Sequence, residues 1–110
     1  MFHKYHAKRT EIDGIKFASK AEAAYYSYLK LAKIKIIDLQ PKIYLTDARI
    51  LYKPDFLIEE NGIKKYIEVK GMRTAVFNIK LRLFKKYCEM PLIIVSYNGR
   101  KFKIEETVNI

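Results

Sequence analysis

Ile50-Leu51-Tyr52-Lys53-Pro54-Asp55-Phe56-Leu57-Ile58-Glu59-Glu60-Asn61-Gly62-Ile63-Lys64-Lys65-Tyr66-Ile67-Glu68-Val69-Lys70 reads as one β-hairpin. Two runs rich in β-branched and aromatic residues flank Asn61-Gly62, a pair that tolerates the positive φ angles of a two-residue turn. With such a loop, residues whose numbers sum to 123 face each other, so Phe56 faces Ile67 and Asp55 faces Glu68. Two carboxylates opposite each other on one sheet face lie roughly 5 Å apart at Cβ, where like charges destabilise. A cation is expected between them. Lys70 projects from the same face as Glu68 and can fill that role as an ion-pair partner. A divalent ion held by hard oxygen ligands is the other solution, with Lys70 beside the attacking water; Mg²⁺ suits it because it takes one or two carboxylates and keeps several waters. Pro54 lacks an N–H and removes a ladder bond next to Asp55, so the strands are expected to splay there.

Outward from this hairpin, Asp13-Gly14 joins a strand at Lys8–Ile12 to one at Ile15–Phe17, and Asn98-Gly99 joins Leu92–Tyr97 to Lys101–Ile104 or to an irregular arm. Ser19-Lys20-Ala21-Glu22 reads as a capping box opening a helix to about Lys33, with Ala21, Ala24, Tyr25, Tyr28, Leu29 and Ala32 as its apolar face. A strand over Ile36–Leu45, interrupted by Pro41, suits a sheet edge. A second helix runs from Ala75 to Cys88, stopped by Pro91, with Asn78, Arg82, Lys85 and Lys86 outermost. The expected class is α/β, a small mixed β-sheet flanked by helices, in one domain over residues 1–110.

The chain has 110 residues, room for one modest core and no separate cofactor-binding module. Its 22 Lys and Arg against 12 Asp and Glu give a net charge of +10. Residues 1–40 hold eight basic and four acidic side chains, residues 41–70 six and five, and residues 71–110 eight and three. Basic flanks around a nearly neutral middle fit a polyanionic partner, since each Lys or Arg that neutralises a phosphate releases counterions. Cys88 is the one cysteine and His3 and His6 the two histidines, which exclude an intramolecular disulfide and a Cys/His zinc cluster. A reducing, cytoplasmic location without membrane insertion is expected, the longest apolar run being Leu92–Val95.

Pro54-Asp55, twelve intervening residues, and Glu68-Val69-Lys70 resemble the bipartite motif of the PD-(D/E)XK nuclease superfamily. The stretch Asp13–Glu22, the segment Asp38-Leu39-Gln40-Pro41, and Glu68–Gly71 ahead of a basic helix are similar to a family of small phage and prophage proteins in that superfamily. They are similar, more loosely, to phage resolvases of four-way Holliday junctions. The resemblance implies a restriction-endonuclease-like core and Mg²⁺ or Mn²⁺ as cofactor. It implies that Asp55, Glu68 and the Val69 carbonyl ligate the metal, that Lys70 orients or activates the water, and that Glu22 reaches the metal directly or through water. Glu22 already has a simpler task at the helix start, closing the capping box.

Lys80 falls in the apolar arc near Val76, Leu83, Phe84 and Tyr87; it either snorkels to solvent or turns to the carboxylates and meets the scissile phosphate. Lys4, Lys8, Arg9, Lys20, Arg73, Thr74, Arg82 and Lys85 are the expected nucleic-acid contacts, Thr74 from a helix start. The function expected is metal-dependent hydrolysis of branched or duplex DNA, and symmetric cleavage implies a homodimer. A non-catalytic nucleic-acid-binding module on the same fold, or a restriction-type or RNA-directed nuclease, is the alternative.

Overall fold

A computed structural model describes residues 10–110. β1 (Thr10–Ile12) and β2 (Ile15–Phe17) form the first hairpin, followed by α1 (Lys20–Leu31) and β3 (Lys35–Leu39). Next come β4 (Ile43–Tyr44), β5 (Leu51–Tyr52), β6 (Phe56–Glu60) and β7 (Ile63–Val69). Helix α2 (Ala75–Tyr87), β8 (Leu92–Tyr97) and β9 (Phe102–Val108) complete the chain. The main sheet has the order β3-β6-β7-β8-β9, and β1-β2 and β4-β5 form separate two-stranded ribbons. All its pairs are antiparallel except β7 with β8, which α2 connects as a crossover. The mixed α/β class expected from the sequence is the one found.

Hydrophobic periodicity divides the core into two layers. On one face Phe17, Tyr25, Tyr26 and Leu29 pack against Phe56, Ile58, Ile67 and Val95. On the other, Phe77, Leu81 and Phe84 cover Leu92, Ile94 and Val108, with Leu45 and Tyr52 of the β4-β5 ribbon closing the side. The period-2 alternation of Ile67 and Glu68 buries these neighbours on opposite faces of the sheet. No helix among the described residues is long and apolar enough to cross a membrane.

Several local expectations are corrected. The edge segment after α1 is two short strands in different sheets, because β4 leaves the main sheet after Pro41 to pair with β5. The last loop is Gly99–Arg100, one residue later than Asn98-Gly99. Asn98 is bonded to Lys101 across the turn, its side chain takes the N–H groups of Arg100 and Lys101, and Gly99 supplies φ 97°. Strand β9 then runs seven residues instead of trailing off. In α1 the inward stripe is Ala23, Tyr25, Tyr26 and Leu29, while Tyr28 is 45% exposed. Tyr26 is drawn inward by packing on Phe17 and by donating its hydroxyl to Asp13 at 2.8 Å.

Candidate functional site

The Asn61-Gly62 turn sets the expected register, from Glu60 opposite Ile63 to Phe56 opposite Ile67. At Pro54 the ladder changes. The Asp55 N–H donates to the Ile67 carbonyl at 3.0 Å, and the Asp55 Oδ2 accepts the Val69 N–H at 2.7 Å. Asp55 and Phe56 therefore both address Ile67, as at a bulge. A side-chain carboxylate replaces the backbone acceptor that Val69 would otherwise find at Pro54. This local break fixes Asp55 at the C-terminal end of β7, where Lys70 donates its N–H to the Val95 carbonyl of the parallel neighbour at 2.8 Å. The Gln40 N–H donates to the Asp55 carbonyl at 2.9 Å and holds the segment from the β3 side.

Glu68 is 4% exposed, and its Oε1 accepts a 2.6 Å hydrogen bond from the Tyr52 hydroxyl. Nζ of Lys70 lies 3.6 Å from the other carboxylate oxygen and 4.7 Å from the centroid of the Phe77 ring. Sequence reasoning missed Tyr52. Its ring packs on Phe77 and Phe84, and only the rule that a buried carboxylate takes donors could have pointed to such a residue, without locating it. Glu68, Lys70, Tyr52, Thr74, Phe77 and Lys80 line one cavity of about 320 Å³. Lys80 is half-buried there, because Phe77, Lys80, Leu81 and Phe84 share the inward stripe of α2; Val76 and Tyr87, expected beside it, are 60% and 57% exposed. Thr74 caps α2, its hydroxyl accepting the Phe77 N–H at 3.1 Å.

Glu22 occupies the other side of the sheet end. Ser19 accepts the Glu22 N–H at 3.1 Å, which forms one half of the capping box. The Glu22 side chain heads the stripe Glu22, Tyr25, Tyr26, Leu29 and lines a second cavity of about 160 Å³ with Asp55, Lys16 and Gln40. Asp55 and Glu68 thus line different cavities, while their carboxylates come close enough to interact at the sheet end.

Their electrostatics tie the two sides together. Burial, then the Glu68 charge and the Glu22 charge, push the Asp55 pKa well above the usual carboxylate range; the Val69 N–H and Lys70 oppose the rise. Glu68 is also raised by burial, and the Tyr52 hydroxyl, Lys70 and Asp55 offset part of it. Glu22 is raised by burial and by Glu68, with Lys70 opposing. Three buried or half-buried acids share one ammonium, and this imbalance favours an added cation. Among the described residues, no three His, Cys, Asp or Glu side chains converge into a ready-made cage. The donor set, hard oxygens from two acids and a neighbouring carbonyl, still fits Mg²⁺ or Mn²⁺, because Mg²⁺ uses few protein ligands beside water and substrate phosphate.

The basic residues divide. Nη1 of Arg73 and Nζ of Lys85 both bind Glu106, at 2.6 Å and 2.7 Å, and hold its pKa below the ordinary range. Two expected phosphate contacts are therefore engaged within the protein. Lys20 and Arg82 are exposed, while Lys4, Lys8 and Arg9 lie outside the described residues.

The fold and site define a small α/β sandwich with an acidic pair and a lysine at the end of its central hairpin. Residues 2–104 match the profile of the family described as "Protein of unknown function (DUF1064)", and the chain belongs to that family. It is also similar to Endonuclease Bax1 of Sulfurisphaera tokodaii, 32% identical over 90 residues, which are 80% of this chain and 18% of that protein. The chain thus spans less than a fifth of the length of that relative. No solved structure matches.

Proposed function

We propose that this chain is a metal-dependent endonuclease domain of PD-(D/E)XK type that hydrolyses DNA phosphodiester bonds. The observation that carries the reading is the burial of Asp55 and Glu68 at one sheet end, held in place by the Val69 N–H and the Tyr52 hydroxyl, with Lys70 against Glu68. The similarity to an endonuclease supports the same class of chemistry.

In this reading Asp55, Glu68 and the Val69 carbonyl would hold Mg²⁺ or Mn²⁺, with Glu22 contributing from the helix side directly or through water. When bound, the ion supplies Lewis acidity towards the phosphoryl oxygen and lowers the pKa of a coordinated water. Lys70 orients the nucleophilic water with its ammonium, and the Phe77 ring and the Glu68 carboxylate limit where that ammonium can go. Lys80, across the same cavity, meets the developing charge on the scissile phosphate. The leaving group takes its proton from solvent.

The finer reading is structure-selective cleavage by a homodimer, since one small domain carries one site and a four-way junction needs two symmetric cuts. The free, half-buried Cys88 suits a reducing, cytoplasmic setting. Four-way, Y-shaped, flapped, single-stranded and linear DNAs incubated with Mg²⁺ or Mn²⁺ test both levels. Paired symmetric nicks in the junction support the resolvase, equal cutting of every substrate removes it, and no cutting of any substrate removes the nuclease.

A further inference from the structure

A groove of about 700 Å³ runs along the outer edge of the main sheet, between the C-terminal end of α1, the β1-β2 hairpin and β3. It shares Ile15 and Leu39 with the cavity that holds Glu22 and Asp55, so the two lie side by side. Lys30, Lys33 and Lys35 stand along it. Among the described residues the ion pairs engage Lys65, Lys70, Arg73 and Lys85, and none of the three groove lysines. The acidic side chain in the lining, Asp38, lies towards the Leu39 end, next to the carboxylate cavity.

Lys33 adds an independent observation. Helix α1 ends in a Schellman motif, with the Ile34 N–H on the Leu29 carbonyl at 3.0 Å and the Lys33 N–H on the Lys30 carbonyl at 3.2 Å. Such a motif needs a left-handed residue after the cap, a position that glycine fills without crowding its Cβ against the backbone. Here Lys33 takes it, at φ 57°. Six non-glycine residues among the described ones take this conformation, and two of them, Lys33 and Gln40, line the groove and the adjoining cavity, in line with the concentration of backbone strain at binding sites. The ordinary uses of the neighbouring lysines are complementing the helix dipole for Lys30 and blunting a sheet edge for Lys35; neither requires Lys33.

We propose that the groove of Lys30, Lys33 and Lys35 is the track for the substrate strand, binding the sugar-phosphate backbone of DNA to one side of the Asp55 carboxylate. The inference rests on the nuclease reading and names the surface that delivers its substrate. With Arg73 and Lys85 engaged by Glu106, α2 keeps Arg82 and Lys86 exposed, and this edge adds to their electrostatic hold.

The test measures binding of a labelled 30-base-pair duplex and a four-way junction in metal-free buffer across a salt series, for the wild-type chain, Lys33→Gly, and the triple variant Lys30→Gln/Lys33→Gly/Lys35→Gln. Each lost phosphate contact lowers the slope of log K against log salt by about 0.9, so the triple variant drops by about 2.7 and the single variant by about 0.9. Lys33→Gly also raises the melting temperature by a few degrees by relieving the left-handed strain, so weaker binding cannot be blamed on misfolding. An unchanged slope in the triple variant, with wild-type cleavage intact, overturns the track and leaves the nuclease reading standing. Wild type that neither binds nor cuts overturns both.

Discussion

The two ends of the β6-β7 hairpin carry similar residues and differ in what surrounds them. At the turn end Glu60 and Lys65 form a 3.4 Å ion pair at the surface, on a ladder that keeps its register. At the far end Asp55, Glu68 and Lys70 sit where Pro54 has broken the ladder, with both acids buried and a side chain serving as backbone acceptor. The turn end is solvated, and its ion pair is worth about 0–1 kcal/mol. At the broken end the same charges are desolvated, which raises their pKa values and makes a further cation favourable. Local chain geometry, more than residue type, separates a surface pair from a candidate site.

Charge substitutions at the two ends separate them most sharply. Glu68→Gln and Lys70→Ala are expected to lower the rate of DNA cleavage by about three orders of magnitude each, a size typical for groups that stabilise developing charge, whereas Glu60→Ala leaves it within about twofold. Single-turnover cleavage rates check this. Equal losses at both ends would erase the distinction.

The next effect concerns the acceptor role of Asp55. Asp55→Asn keeps an oxygen for the Val69 N–H, while Asp55→Ala strands that donor in a buried position at a cost of about 1–3 kcal/mol. Both variants lose activity. The Ala variant alone is expected to fall clearly below wild type in urea unfolding, and equal stability of the two would show that the hydrogen bond is not structural.

The pH dependence of stability sharpens the contrast from another side. Asp55, Glu68 and Glu22 have folded-state pKa values above their unfolded ones. Between the ordinary carboxylate range near ~4 and the raised values, the folded chain binds more protons than the unfolded one. The stability contribution of these groups is therefore complete below ~4 and is lost as pH rises through the raised values, up to about 8 for Asp55, in metal-free buffer. Glu106 runs the other way, its paired form losing stability as pH falls below the ordinary range. Glu68→Gln is expected to flatten the decline towards neutral pH in a series of thermal melts, and Glu60→Ala to leave it as in wild type. The smallest effect is that of Glu60→Ala on stability itself, within about 0.5 kcal/mol.

The sequence made the regular end of the hairpin legible because Asn61-Gly62 fixes the register by local turn chemistry. Ser19 as a helix cap and the inward position of Lys80 were legible for the same reason, since both follow from spacing within a helix. The broken end was only half legible. Pro54 signalled a missing ladder donor, but the capture of the Val69 N–H by the Asp55 side chain depends on the three-dimensional path of the chain. Tyr52 reaches Glu68 across sixteen residues of sequence. The capture of Arg73 and Lys85 by Glu106 joins α2 to β9, and no local pattern reveals such a pairing. The shifted stripe of α1 has a tertiary cause too, the seating of Tyr26 on Phe17 and Asp13.

The most direct test of the acidic end as a metal-dependent phosphodiesterase site is a Mn²⁺ titration of branched-DNA cleavage by wild type and Glu68→Gln, run in parallel with calorimetric Mn²⁺ binding. The wild type is expected to bind Mn²⁺, to cut only when it is present, and to lose both properties in Glu68→Gln while remaining folded. Cleavage that persists in chelator, or that survives the substitution, would contradict it.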